Sequence, residues 1–452
     1  MDNFNLKYKL SAQYHNNKKM IQKYKLLYLI GCAITVLSCQ TNKRLTEQFK
    51  QSSAIKNSQL GMKIWSETQQ KTIINHQSDK LFLPASNTKL LTFYVGLKNL
   101  PDSVTAIKYA ITNDSLIFCG MADPSTLYSK LPNHSRLTDF LASRKEKLFL
   151  HTTPQNFTAL GKGWAWDDYL YSFGAERSNF PIYGNCVNFS KKNDNTLKIT
   201  PYFFEKSTYN WSSENEFTVH RDLDNNMFSF PASTVPDNFH QNVPFKTADY
   251  LSLALLSDTT HQNIERINFI PNTTIQYFRS TLTDSLYKRM LQYSDNLVAE
   301  QLLCMISEKI LGEINPEKAI DSLIHKGNLN LDFSQSAWVD GSGTSRYNLF
   351  SPTFMVDLLL KIKQNISEKR LFELLPTAGK SGTIASFYDK NQAPFVYAKS
   401  GSLSNNYNLS GYLISKKGKR YAFSIMVNNT LEKTAEIKKA IADFLLAFHK
   451  LN

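Results

Sequence analysis

The chain has 452 residues, of which 42% are hydrophobic and 20% charged, so it can bury a sizeable core and is neither disordered nor collagen-like. The formal charge of +14 falls to +9 without residues 1–38, which hold six Lys and one Asp. A basic surface attracts polyanions of any kind. The sequence has no nucleic-acid-binding motif, so we expect no nucleic-acid partner. The length predicts two or three packed units.

The N-terminus resembles a bacterial lipoprotein signal. Lysines between positions 18 and 25 precede a short apolar stretch, residues 26–38, as in a secretory signal, and Met20 is an alternative start. The stretch ends in Val-Leu-Ser-Cys39, similar to a lipobox, whose Cys carries lipid. We therefore predict a signal peptide over 1–38, lipidation of Cys39, a polar tether over 39–53 and a membrane-anchored location on the periplasmic side of the cell envelope. A cleaved signal with an incidental Cys is the alternative.

The hydrophobic pattern then predicts the elements in chain order. Short strands at 60–65 and 81–83 lead into a loop and an apolar helix that starts near Pro84. Short alternating runs between about 105 and 270 predict a β-rich module. Helical periodicity returns after Leu297 and again from Phe354, and strands follow at 395–398, 409–414 and 421–427 before an amphipathic C-terminal helix. This order predicts an α+β fold whose catalytic domain, 54–100 and 275–452, is split by a β-rich insertion, 101–274.

Three short motifs carry the chemistry. Ser86 and Lys89 stand three positions apart at a predicted helix start, which puts a hydroxyl and an amine on one face. The pair alone is weak evidence, because Ser-x-x-Lys also occurs at Ser53 and Ser285. The discriminating feature is the order, in which Ser294-Asp295-Asn296 and Lys399-Ser400-Gly401 follow the first motif. This order is that of penicillin-recognising serine enzymes.

With these motifs, the segments Ala122-Asp123-Pro124, Trp164-Ala165-Trp166-Asp167-Asp168 and Asp340-Gly341-Ser342-Gly343 make the chain resemble the class C low-molecular-mass penicillin-binding proteins. These are D-alanyl-D-alanine carboxypeptidases and endopeptidases. The resemblance implies a penicillin-binding-protein/β-lactamase-like transpeptidase domain, in which helices flank an antiparallel sheet. It also implies peptidoglycan stem peptides as substrates, β-lactam antibiotics as covalent inhibitors and no cofactor.

The resemblance also implies roles for single residues. Ser86 would be the nucleophile, Lys89 its base, Ser294 a proton relay, and Asn296 a holder of Lys89 or of the substrate amide. Lys399 and Ser400 would bind the terminal carboxylate, with Gly401 and Ser402 in the same substrate-binding strand. The oxyanion hole would be the backbone N–H groups of Ser86 and Ser402. Burial and the charge of Lys399 should both lower the pKa of Lys89. Ser400 departs from the family, which usually has Thr there.

Several assignments stay open at this stage. Lys380 stands in a second Lys-Ser-Gly, but no apolar run precedes it, so Lys399 is favoured. Ser294 could instead be a helix N-cap. Arg346 is a candidate carboxylate contact, and a surface or structural arginine is the equal alternative. No metal-ligand spacing occurs, so we predict no metal site. The cysteines other than Cys32 and Cys39 allow one disulfide at most, and Cys304 is expected to be a buried thiol.

Two other functions fit parts of this pattern. A β-lactamase shares the acylation machinery, but neither the Glu-x-x-x-Asn of class A nor the Tyr of class C accompanies Ser294. A non-catalytic wall-binding lipoprotein would have no use for a complete set of motifs around a buried lysine. A penicillin-sensitive peptidase is therefore the favoured function.

Overall fold

A computed structural model of the protein describes residues 40–212, 216–269, 271, 273–326 and 328–452. The predicted signal peptide and Cys39 lie outside the described residues. In the part of the chain that is described, no helix has both the length and the apolar character needed to cross a bilayer.

The strands in chain order are β1 (Gln59–Ser66), β2 (Lys71–His76), β3 (Ser103–Thr112), β4 (Ser115–Gly120), β5 (Lys147–His151), β6 (Cys186–Lys191), β7 (Leu197–Thr200), β8 (Thr208–Ser212), β9 (His220–Arg221), β10 (Phe228–Pro231), β11 (His240–Pro244), β12 (Ile264–Ile267), β13 (Gln276–Leu282), β14 (Val396–Leu403), β15 (Asn406–Ile414) and β16 (Arg420–Asn428). The helices are α1 (40–50), α2 (Lys89–Asn99), α3 (Arg136–Ala142), α4 (Asp249–Thr260), α5 (Thr283–Gln292), α6 (Asn296–Leu311), α7 (Pro316–His325), α8 (Pro352–Asn365), α9 (Glu368–Leu374) and α10 (Thr434–Leu451).

A five-stranded antiparallel sheet, ordered β14-β15-β16-β1-β2, separates two apolar cores. Alternation along β16 explains this, because successive side chains of a strand point to opposite faces. Phe423 and Ile425 face the core beneath α10, whereas Ala422 and Met426 face the core formed with α2, α6 and α8. The sheet is therefore covered on both faces, and its edge strand β14 remains beside the start of α2.

The inserted region forms its own core around a second five-stranded sheet, ordered β12-β5-β4-β3-β13. Two three-stranded sheets, β8-β10-β9 and β11-β6-β7, pack with it. Strand β13 begins after the predicted boundary at residue 274, yet it pairs with β3, so this sheet extends to Leu282. The strand predicted at 81–83 is reduced to a single bridge between Phe82 and Phe350.

Residues 39–53 were predicted as a tether, and the structure differs over most of that range. Residues 40–50 form α1, whose Phe49 ring lies 4.7 Å from the Phe444 ring of α10. Leu45 and Phe49 are four residues apart and so share one helix face, which packs on the core beneath α10. The segment is otherwise polar, so Leu45 and Phe49 alone were not enough to predict a helix from the sequence.

The cysteines at 119, 186 and 304 are all buried and free. The predicted burial of Cys304 is confirmed, since its side chain has no exposed surface. Burial raises the pKa of Cys119 to about 11, so this thiol is unreactive at neutral pH.

Candidate active site

Ser86 lies on a 3-10 turn, Ala85–Thr88, that leads directly into α2. The Thr88 hydroxyl donates to the Ala85 carbonyl at 2.9 Å and so closes the turn. Lys89 is the first residue of α2, and the three-residue spacing brings its Nζ within 2.9 Å of Ser86 Oγ. Ser86 is half-buried and Lys89 is enclosed, which leaves the hydroxyl accessible and the amine shielded from water.

Lys89 Nζ also donates to Asn296 Oδ1 at 2.7 Å and to the Ser342 carbonyl at 2.6 Å. Complete burial lowers its pKa to about 8, against the opposing effect of the carboxylates of Asp340 and Glu300. A lysine with this pKa has an appreciable neutral fraction near pH 7 and can act as a general base.

The predicted repulsion between the two lysines is seen at Lys399. Burial and the positive charge of Lys89 lower the pKa of Lys399 well below its ordinary value. The carboxylates of Asp340, Glu300 and Asp295 act on Lys89 in the opposite direction and favour its protonated form.

The second motif precedes and begins α6. Ser294 has a left-handed backbone with φ of 58°, and its Oγ accepts from Lys399 Nζ at 2.9 Å. The alternative that Ser294 caps the helix is wrong, because Asp295 is the N-cap and its carboxylate accepts the Val298 N–H. Asn296 donates from Nδ2 to the Phe173 carbonyl and to Thr344 Oγ1, which orients its Oδ1 towards Lys89.

The third motif lies on the edge strand β14. Lys399 is fully buried and donates to Ser294 Oγ and to the Ser400 carbonyl. The Ser400 hydroxyl donates to Thr383 Oγ1 at 2.7 Å, and Ser402 is exposed.

Gly401 explains how β14 approaches the nucleophile so closely. A Cβ at this position would lie 2.5 Å from the Pro84 carbonyl oxygen and 2.9 Å from the Ser86 nitrogen, so a side chain would push the strand away from the Ala85–Thr88 turn. The second Lys-Ser-Gly is elsewhere, with Lys380 exposed.

Comparison with known proteins identifies the family. The model of the D-Ala-D-Ala carboxypeptidase 3 (S13) family matches residues 41–204 and 265–448. The chain belongs to this family. The family predicted from the sequence is thus confirmed, and the interruption at 205–264 falls inside the inserted region.

Individual relatives agree with this assignment. D-alanyl-D-alanine carboxypeptidase DacB of Haemophilus influenzae is 33% identical over 154 residues, which cover 32% of this chain and only 31% of that protein. Penicillin-sensitive carboxypeptidase A of Dictyostelium discoideum is 23% identical over 438 residues, or 82% of each chain.

The crystal structure of penicillin binding protein 4 from Haemophilus influenzae superposes with a TM-score of 0.68 at 22% identity, covering 90% of this chain and 98% of that one. The same protein in complex with a β-lactam gives a TM-score of 0.67 at 21% identity, with coverage of 90% and 99%. The predicted α+β fold is confirmed.

Arg346, the remaining predicted site residue of this S13 chain, lies apart from the hydrogen bonds around Lys89. Its side chain is exposed, and its backbone N–H donates to the Gly163 carbonyl at 3.0 Å. Burial raises the pKa of Asp168, and the positive charge of Arg346 opposes that rise, so the two side chains face the same region.

Sequence reasoning gave no role to several residues that support the site. Asp340 is fully buried and accepts the backbone N–H groups of Gly343 and Ser345, which shapes the loop whose Ser342 carbonyl holds Lys89. Trp164 of the inserted region donates to the same carboxylate at 2.9 Å. The sequence contains one indication of this role. Asp340 stands between the apolar Val339 and Gly341, a context that favours a buried aspartate over a solvated one.

Proposed function

We propose that this protein is a serine D-Ala-D-Ala carboxypeptidase and D,D-endopeptidase that acts on peptidoglycan stem peptides. The observation that carries the proposal is the 2.9 Å contact between Ser86 Oγ and the buried amine of Lys89. A serine beside a lysine of lowered pKa is an activated nucleophile, and the S13 family supplies the substrate class.

In the proposed reaction, Ser86 Oγ bonds to the carbonyl carbon of the penultimate D-Ala while Lys89 Nζ accepts the hydroxyl proton. The C–N bond to the terminal D-amino acid then breaks, and Ser294 passes a proton to the departing amine. Water attacks the acyl-serine, releases the shortened peptide and restores the Ser86 hydroxyl. The backbone N–H groups of Ser86 and Ser402 would stabilise the oxyanion, and one such donor typically contributes ~3 to 4 kcal/mol.

Lys399 and Ser400 would bind the carboxylate at the end of the substrate. The pKa of Lys399 is low because the amine is buried beside Lys89, and a bound carboxylate would stabilise its charged form again. Arg346 would contact a carboxylate elsewhere on the stem peptide. The relationship to penicillin-sensitive proteins supports β-lactam antibiotics as covalent inhibitors at Ser86.

Labelling with fluorescent penicillin tests this proposal. The purified domain should form a stable fluorescent band on a denaturing gel, and Ser86→Ala should abolish the band while leaving the circular dichroism spectrum unchanged. Persistent labelling of Ser86→Ala would refute the nucleophile. Rapid turnover of a chromogenic cephalosporin without a stable band would favour a β-lactamase instead.

We also propose that Cys39 carries lipid and anchors the protein at the periplasmic side of the cell envelope. The support is the lipobox-like sequence and the described part of α1, residues 40–50, which follows Cys39 directly and packs on α10. The anchor would therefore join the catalytic domain without a long spacer. Cells fed an alkyne-tagged fatty acid should label the wild-type protein and not Cys39→Ser. Equal labelling of both would exclude this site.

A further inference from the structure

Helix α6 touches the catalytic lysine by two routes, one on each of its first two turns. Asn296 contacts Lys89 directly at 2.7 Å. Glu300, four residues later on the same face, accepts the Ser342 N–H at 2.7 Å, and the Ser342 carbonyl accepts from Lys89 Nζ at 2.6 Å. The backbone of one residue, Ser342, thus links the Glu300 carboxylate to the amine of Lys89. Glu300 takes no part in the reaction steps proposed above.

Glu300 is a buried acid with a buried cation beside it. Glu300 has no exposed surface and Arg177 is 1% exposed, and their nearest charged atoms are 3.6 Å apart. Burial and the neighbouring Asp340 raise the pKa of Glu300 to about 7, whereas Arg177 and the hydrogen bond from Ser342 lower it. A buried carboxylate stays ionised only when it is compensated in this way. The charge of Glu300 at neutral pH therefore depends on Arg177.

Arg177 belongs to the inserted region and not to the catalytic domain. It also donates to the Thr158 carbonyl at 2.8 Å and pairs with the half-exposed Glu317 at 2.6 Å. The next residue, Ser178, is bonded to helix α6. Its N–H donates to Gln301 Oε1, and the Gln301 side-chain amide donates to the Ser178 carbonyl. The insertion is thereby fastened to α6 at the position where Glu300 lies.

We infer that Glu300 and Arg177 are positioning residues through which the inserted region sets the protonation and placement of the catalytic base Lys89. The inference rests on the proposed function, in which Lys89 is that base. The charged groups that face Lys89 are Asp340, Glu300 and Asp295, which favour its protonated form, and Lys399 across the cleft. Within this set, Glu300 is the carboxylate that pairs with a cation of the insertion, Arg177. Asp340 and Asp295 instead accept hydrogen bonds from neutral side chains of the insertion, Trp164 and Tyr128.

The sign of the effect follows from charge. Removing the negative charge of Glu300 withdraws a stabiliser of protonated Lys89, so the pKa of Lys89 falls. Glu300→Gln retains an oxygen that can accept the Ser342 N–H. The acidic limb of the pH profile for penicillin acylation, which reports deprotonation of the base, should move to lower pH by about half a pH unit or more. Arg177→Met should move it in the same direction, because Glu300 without its partner takes up a proton.

The variants to measure are Glu300→Gln, Arg177→Met and the double variant, with Glu317→Gln as the matched control. Glu317 pairs with Arg177 but is 41% exposed and lies outside the charges that act on Lys89. Its profile should match that of the wild type. The double variant removes both buried charges together and so remains foldable if a single substitution does not. Its profile should move no further than that of Glu300→Gln, since Arg177 acts through Glu300.

Second-order acylation rates from pH 5 to pH 9.5 provide the test. Competitive acetylation of Lys89, read by mass spectrometry across the same pH range, reports the same ionisation without turnover. A Glu300→Gln profile at the wild-type pH midpoint, or equal displacement by Glu317→Gln, would overturn the inference while leaving the proposed function intact. If the wild-type protein itself were not acylated, the proposed function would fail, and the acetylation profiles alone would then decide the inference.

Discussion

Two lysines in this chain stand in the same tripeptide, Lys-Ser-Gly, and their surroundings differ. Lys399 is fully buried on β14 and contacts Ser294 at 2.9 Å, whereas Lys380 is exposed in the turn before Gly382–Ile384. Only an amine inside the cleft can meet the substrate carboxylate without competition from water. The two tripeptides have the same sequence, so any difference in the function of the two lysines comes from their positions in the fold.

Paired substitutions exploit this duplication. Lys399→Met keeps much of the buried volume and removes the charge, so penicillin acylation should slow by about 10- to 100-fold, as expected for a lost hydrogen bond to a charged group. Lys380→Met should leave the rate unchanged. Stopped-flow acylation at pH 7.5 measures both. Equal losses in the two variants would contradict the assignment of the carboxylate site to β14.

At the scale of elements, the sequence was most informative where its hydrophobic pattern was strong. The strands at 409–414 and 421–427 and the C-terminal helix were predicted within a few residues of β15, β16 and α10, because their alternation and helical periodicity follow directly from which face is buried. α1 was missed, since its apolar face is only Leu45 and Phe49 in a polar run. These two side chains pack on the core beneath α10, which is distant in sequence, so the local pattern does not reveal the helix.

The site follows the same rule. Ser86 and Lys89 could be placed together because their spacing is local. Asn296 is 207 positions from Lys89, and it could be predicted only because the order of the three motifs is recognisable. Glu300 could not, since a single Glu in an apolar helix gives no indication of a partner 123 positions earlier in the chain. The cap at Asp295 was also missed, because Ser294 and Asp295 are both good caps and only the backbone angle of Ser294 separates them.

At the scale of the whole molecule, the insertion has a core of its own, but Val104, Ala122 and Leu131 of the insertion also join the helical core of the catalytic domain. The core of the insertion includes Phe118 and Leu255, while the helical core of the catalytic domain includes Leu302 and Met355. Gln301 is a fully buried polar link between them, bonded to the backbone of Ser178 and to the Ala122 carbonyl. Buried backbone groups lose these bonds together if the side chain is removed.

Gln301→Leu should therefore weaken the attachment of the insertion more than it weakens either core. It leaves one buried N–H and two buried carbonyl groups without partners, and we expect a loss of about 2 to 4 kcal/mol in the free energy of unfolding in urea. Hydrogen exchange should rise first in residues 175–180. Glu308→Gln is the control, because Glu308 lies on the same helix and pairs with Lys108 of the insertion only at 3.8 Å near the surface. Such a pair contributes ~1 kcal/mol at most, so similar losses in both variants would mean that the buried link does not hold the two parts together.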